Sequence, residues 1–99
     1  MWIFRTSEPQ DAFFTFRLGP GAIKTVGRAP RADFILNAAL VSRLHCQLMA
    51  GDADVEVVDL SSTNGTFVND RRIDRARLVN GDRLRVGRVE LTLARQSES

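Results

Sequence analysis

Three short polar segments hold the residue types best suited to chemistry on an anion. Gly27-Arg28 lies where the apolar stretch Ala22–Val26 ends, Ser42-Arg43-Leu44-His45 follows, and Ser61-Ser62-Thr63-Asn64-Gly65 leads into Thr66-Phe67-Val68-Asn69. Arginine presents a planar fork of donors that matches phosphate or carboxylate oxygens. Serine and threonine hydroxyls and the asparagine amide add short-range donors, and glycine lets backbone N–H groups approach a ligand closely. This set suits the binding of an oxyanion. It suits catalysis poorly. The chain has one histidine, His45, and one cysteine, Cys46, and neighbours on a strand point to opposite faces, so the two are not expected to work as base and nucleophile. One His and one Cys support neither a zinc cluster nor a disulfide framework, so no metal is expected. No Gly-rich nucleotide loop and no paired carboxylates in a recognisable frame occur, so no cofactor is expected and the chain reads as a binding domain, not an enzyme.

These segments need a scaffold, and composition bounds it. A chain of 99 residues holds one domain, and 43% hydrophobic with 26% charged residues is a globular balance. No apolar run approaches the roughly 18–20 residues of a membrane span, and Met1-Trp2-Ile3-Phe4-Arg5 does not read as a signal peptide. A cytoplasmic location, or a nuclear one in a eukaryote, without membrane insertion is the expectation. Of the fourteen basic residues thirteen are arginines; most of that excess reads as biased codon usage on solvated strands and turns, with Arg28 set apart by its loop position.

The elements are short strands and turns. Trp2–Arg5, Phe14–Leu18, Ala22–Val26, Asp33–Leu36, His45–Met49, Val55–Leu60, Thr66–Asn69, Arg71–Ile73, Arg83–Val86 and Val89–Leu93 read as strands. Ser7–Asp11 reads as a polar loop, Asp74–Arg77 as a loop or single helical turn, and Asn80-Gly81-Asp82 as a turn. The fold class is all-β, a two-sheet β-sandwich of short, mostly antiparallel strands. Residues 1–95 form the domain and 96–99 a polar tail. Trp2, Phe4, Phe14, Phe16, Phe34 and Phe67 are the expected core aromatics. In a sandwich, loops from different strand pairs gather at one end, which brings the three polar segments to a common ligand.

Gly-Arg, then Ser-x-x-His, then Ser-Thr-Asn-Gly-Thr, in this order within the 43 residues from Gly27 to Asn69, resembles the forkhead-associated (FHA) domain. The likeness runs from Trp2 to Leu93 and includes Asp59-Leu60 and Asn80-Gly81-Asp82. It implies a β-sandwich that binds phosphothreonine peptides and acts as a signalling adaptor. Its partner would be a phosphothreonine-containing protein, a substrate of a Ser/Thr kinase. Carried over by position, Arg28, Ser42 and Thr63 would hold the phosphate, with Arg43 as a second arginine, and Asn64 would clamp the peptide backbone. Gly27, His45, Gly65 and Asn69 would support the site. Asp70 stands where the family commonly has glycine, so the turn after Asn69 is open to a different type. The uncharged Asn37–Val41 segment implies an apolar preference a few residues after the phosphothreonine.

Two other readings compete. One is a phosphorylation-independent scaffold that uses another face. The other is weak nucleic-acid binding through Arg71, Arg72, Arg75, Arg77, Arg83, Arg85 and Arg88. Interspersed Asp70, Asp74, Asp82 and Glu90, and the lack of interleaved aromatics, argue against nucleic acid.

Overall fold

The alternation of apolar and polar residues folds into eleven strands, and the computed structural model describes residues 1–7 and 14–96. They are β1 Trp2–Thr6, β2 Thr15–Leu18, β3 Ile23–Gly27, β4 Phe34–Ile35, β5 Cys46–Ala50 and β6 Val55–Asp59. β7 Thr66–Val68, β8 Arg71–Ile73, β9 Arg75–Leu78, β10 Arg83–Val86 and β11 Val89–Arg95 complete the set. No helix occurs among the described residues. Most of the Ser7–Asp11 loop and the end of the polar tail lie outside them. Gln96 N–H donates to Met1 O, so regular pairing continues one residue past the expected boundary at 95.

Two sheets pack face to face. One has the order β2-β1-β11-β10-β7-β8, the other β4-β3-β5-β6-β9. All pairs are antiparallel except β3 with β4, where Val26 faces Phe34 and Gly27 faces Ile35. Inward residues alternate along each strand: Phe16 and Leu18 on β2, Cys46, Leu48 and Ala50 on β5, Leu84 and Val86 on β10. The two sheets meet at both edges. Phe16 and Phe34, one from each sheet, stack with centroids 4.6 Å apart at 6°, and β8 passes directly into β9 through Asp74.

Two expectations need correction. Arg75–Leu78 is a strand, where a loop or helical turn was expected. Ala76 and Leu78 pair with Val57 and Val55 and face the core, while Arg75 and Arg77 point out; the charge density of Arg71–Arg77 masks that alternation in sequence. Phe67 does not join the core. Its neighbours Thr66 and Val68 take the inward positions of β7, and the Arg85 guanidinium lies over its ring, 4.3 Å from the centroid. Phe14 and Phe34 pack against the core only in part.

The β7–β8 hairpin carries Asp70 in an unusual conformation. Asn69 and Asp70 both have positive φ, +48° and +69°, which is the left-handed pair of a type I′ turn. The turn type that glycine favours is therefore kept, with an aspartate in its second position. Asp70 also approaches Arg83 at 3.4 Å and Arg85 at 3.7 Å, but it is 63% exposed and such surface pairs contribute little. Asp70→Gly is expected to relieve the backbone and stabilise the domain by about 0.5–1 kcal/mol. The midpoint of thermal unfolding would rise by a few degrees; a fall would mean that the ion pairs outweigh the strain.

Candidate anion-binding site

At one end of the sandwich the loops 28–33, 36–45 and 60–65 meet the β10–β11 turn. Between them lies an open cleft of about 580 Å³ lined by Arg28, Ala38–Leu44, Ser61, Thr63 and Asn64. Five expected site residues, Arg28, Ser42, Arg43, Thr63 and Asn64, are thus brought together. Arg28 and Arg43 are the only charged residues in the lining, so the charge carried by the cleft walls is positive.

Arg28 is placed by the end of β3. Its backbone N–H donates to Ser42 O at 3.0 Å, Ala29 N–H donates to Arg43 O at 3.0 Å, and His45 N–H donates to Val26 O at 2.8 Å. Arg28 Nε donates to Val41 O at 3.2 Å, which fixes the guanidinium plane. Its Nη groups have no protein acceptor among the described residues. Ser42 Oγ accepts the Thr63 N–H at 3.0 Å. A hydroxyl has one donor and two acceptor positions, so the serine proton remains available to a ligand. Asn64 Nδ2 donates to Leu40 O at 3.2 Å and spans the mouth of the cleft.

The supporting residues lie underneath. His45 is fully buried. Its Nδ1 accepts the Ser42 N–H at 3.0 Å, which requires the proton on Nε2, and Nε2 lies 2.8 Å from Gly65 O as donor. One imidazole therefore ties the 36–45 loop to the 60–65 loop. Gly27 is fixed by space and Gly65 by its left-handed backbone. A Cβ on Gly27 would lie 2.1 Å from Arg43 O, and one on Gly65, at φ +89°, would lie 2.9 Å from Arg72 Nε. Asn69 is elsewhere. It sits at the far end of β7, where its Oδ1 accepts the Arg83 N–H at 2.9 Å and its Nδ2 donates to Asp82 Oδ1 at 3.2 Å. It braces β10 and does not border the cleft.

Three residues outside the sequence-derived site set matter here. Asp59, at the end of β6, receives the Ser62 and Thr66 hydroxyls on Oδ1 and the Ser62 N–H on Oδ2. Ser62 Oγ in turn accepts the Gly65 N–H. Leu40 has φ +68°, a strained conformation for a branched side chain, held at the cleft rim by the Asn64 bond. Gly87, φ +61°, in the β10–β11 turn lies beneath it; a Cβ there would be 2.8 Å from Ala39 O. Asp59 has a sequence signal, Asp followed three residues later by Ser, but neither Leu40 nor Gly87 differs in sequence from an ordinary loop residue.

Partial burial alone would push the Asp59 carboxyl up, but the Ser62 and Thr66 hydroxyls, the Ser62 N–H and nearby His45 outweigh it, and the group is held below its ordinary value. A lowered carboxyl means the unfolded chain binds the extra proton first. The stabilisation is therefore complete above about pH 4, the unfolded value, and is lost as pH falls through the lower folded value. Asp59→Asn is expected to be less stable than the parent at neutral pH, with the gap closing on acidification in a series of urea melts. A gap independent of pH would show that the carboxylate charge is not what the loop uses.

The FHA domain profile matches residues 24–87. The chain is 40% identical over 90 residues to the ABC transporter ATP-binding/permease protein Rv1747 of Mycobacterium tuberculosis, across 86% of this chain and 10% of that protein. It is 35% identical over 92 residues to the glycogen accumulation regulator GarA of the same organism, across 84% of this chain and 57% of GarA. The chain thus spans little more than half of GarA and a tenth of the transporter. Among solved structures, the FHA domain of CT664 from Chlamydia trachomatis superposes with TM-score 0.88 at 26% identity, covering 97% of this chain and 98% of that one. A second, from work on phosphothreonine-dependent FHA domain interactions, gives TM-score 0.81 at 27% identity and covers 98% of each chain. With a matched profile over most of its length and the same sandwich, this chain belongs to the FHA domain family.

Proposed function

We propose that this domain binds phosphothreonine-containing peptides and acts as an adaptor that recognises a Ser/Thr kinase product without changing it chemically. One observation carries the reading: the Arg28 guanidinium, anchored through Nε to Val41 O, stands in a cleft with Ser42, Thr63 and Asn64 and no carboxylate in its lining. A phosphothreonine carries about −1.5 to −2 charge at pH 7 and three acceptor oxygens. Arg28 would take two of them in a bidentate contact, the Ser42 hydroxyl and Thr63 would complete the set, and Arg43 would add charge from the rim. Asn64, already turned across the cleft, would hold the peptide backbone beside the phosphate. The apolar lining of Ala38, Ala39, Leu40 and Val41 suits an apolar residue after the phosphothreonine. Membership of the FHA family and the likeness to a domain studied for phosphothreonine-dependent interactions support the reading. A reader of this kind belongs with the kinases whose products it binds, in the cytoplasm.

Fluorescence anisotropy with matched phosphothreonine, phosphoserine and unmodified peptide pools tests this. The phosphothreonine pool is expected to bind best. Arg28→Ala should keep the melting profile of the parent yet lose affinity by about 2–5 kcal/mol, because the phosphate would be left partly desolvated and unpaired. Retained affinity in that variant would overturn the assignment and favour a phosphorylation-independent scaffold.

The same titration repeated across pH isolates the dianion. Its second proton binds near pH 6, so affinity is expected to fall as pH drops from 7.5 to 5. A flat profile would argue against recognition of the doubly charged phosphate.

A further inference from the structure

The outer face of the six-stranded sheet carries charge that the cleft does not use. Arg17 on β2, Arg5 on β1, Arg83 and Arg85 on β10 and Arg72 on β8 occupy outward positions across it. Register aligns four of them into two rows, while Arg17 pairs with Ile3 in a third. Arg5 and Arg83 flank Thr92 in one; Arg72, Phe67, Arg85 and Glu90 form the other. Glu90, paired with Arg85 across the strands, and the turn residue Asp70 carry the opposite charge on this side.

The geometry points to this face as a docking surface for an acidic, extended peptide segment of a partner protein, separate from the anion cleft. Arg83 and Arg85 are two residues apart on one strand, about 6.6–6.8 Å, which is also the spacing of alternate side chains on an extended peptide. Both guanidiniums already approach one carboxylate, that of Asp70, at 3.4 and 3.7 Å, in the manner that an acidic side chain of a partner would use. The Arg85 guanidinium rests on Phe67, and Arg72 is the cross-strand neighbour of that ring. Arg85 is thereby held in place, so less side-chain freedom is lost on binding. Nucleic acid fits less well. Phe67 is capped by Arg85 and so closed to base stacking.

The test uses a fluorescein-labelled, unphosphorylated peptide with glutamate at every second position, read by anisotropy at low and moderate salt. The whole chain is expected to bind it in a salt-sensitive way. Arg72→Gln/Arg83→Gln/Arg85→Gln should weaken binding about tenfold or more. Arg5→Gln/Arg17→Gln, which leaves Phe67 covered, should weaken it several-fold and keeps the test valid if the triple variant misfolds. Arg31→Gln/Arg75→Gln/Arg77→Gln removes charge off this face and should change binding less than about twofold. Arg28→Ala should leave it unchanged, so failure here and failure of the phosphothreonine reading are separable. The inference is overturned by absence of binding, by equal losses on and off the face, by loss in Arg28→Ala, or by a single-stranded oligonucleotide binding more tightly than the peptide through the same arginines.

Discussion

The cleft depends on how closely the backbone of Gly27 lies against that of Arg43. No side chain fits there, since a Cβ would meet the Arg43 carbonyl carbon at 2.8 Å as well as its oxygen. That closeness lets the end of β3 be held on both flanks. Leu36 N–H donates to Gly27 O on one side, while Arg28 and Ala29 donate to Ser42 and Arg43 on the other. Arg28 leaves the strand at the point where those bonds begin, so its side chain starts from a fixed backbone. A guanidinium on a mobile loop would lose rotamer and backbone freedom on binding; one that is already anchored loses less. Glycine at 27 is therefore the condition for arginine at 28 to be useful.

A second layer carries that order to the opposite wall. The 60–65 loop has few bonds of its own, and its shape comes from a half-buried carboxylate and a buried imidazole. Asp59 gathers Ser62 and Thr66, and His45 joins Ser42 to Gly65. Each such bond contributes only about 1 kcal/mol net, but breaking one in a buried site leaves an unsatisfied group at larger cost. No buried side-chain N or O lacks a partner among the described residues. That margin accommodates positive φ at Leu40 and Ser61 beside the cleft, conformations that a free loop would abandon.

Ten of the eleven strands were legible in the sequence to within a residue or two, most plainly where alternation marks one dry face, as on β2, β5, β7 and β10. Alternation failed at β9, where Arg75 and Arg77 dominate the composition while Ala76 and Leu78 decide the burial. Aromatic content misled at Phe67: an arginine on the outer face can cover a ring as well as a core can. The cleft side chains were legible because hydroxyl, amide and guanidinium stand at strand ends in a specific order. What braces them was not. Leu40 and Gly87 matter through backbone conformation and proximity across about 50 intervening residues, and no local pattern records a contact of that range.

The same construction disarms the two side chains that otherwise do proton or sulfur chemistry. Cys46 is fully buried, and desolvation, then the Asp59 charge, pushes its thiol up to about 12. Thiolate is the reactive form, so at neutral pH this sulfur behaves as a small apolar group. His45 spends both nitrogens inside the protein, one accepting and one donating. A general base needs a free lone pair facing its substrate, and this one has its lone pair occupied by Ser42 N–H. What is left for the cleft is a pair of donors: the Arg28 Nη groups and the Ser42 hydroxyl. Guanidinium and hydroxyl donors in that arrangement can pair with the oxygens of a bound oxyanion without any group beside them that is free to take up a proton.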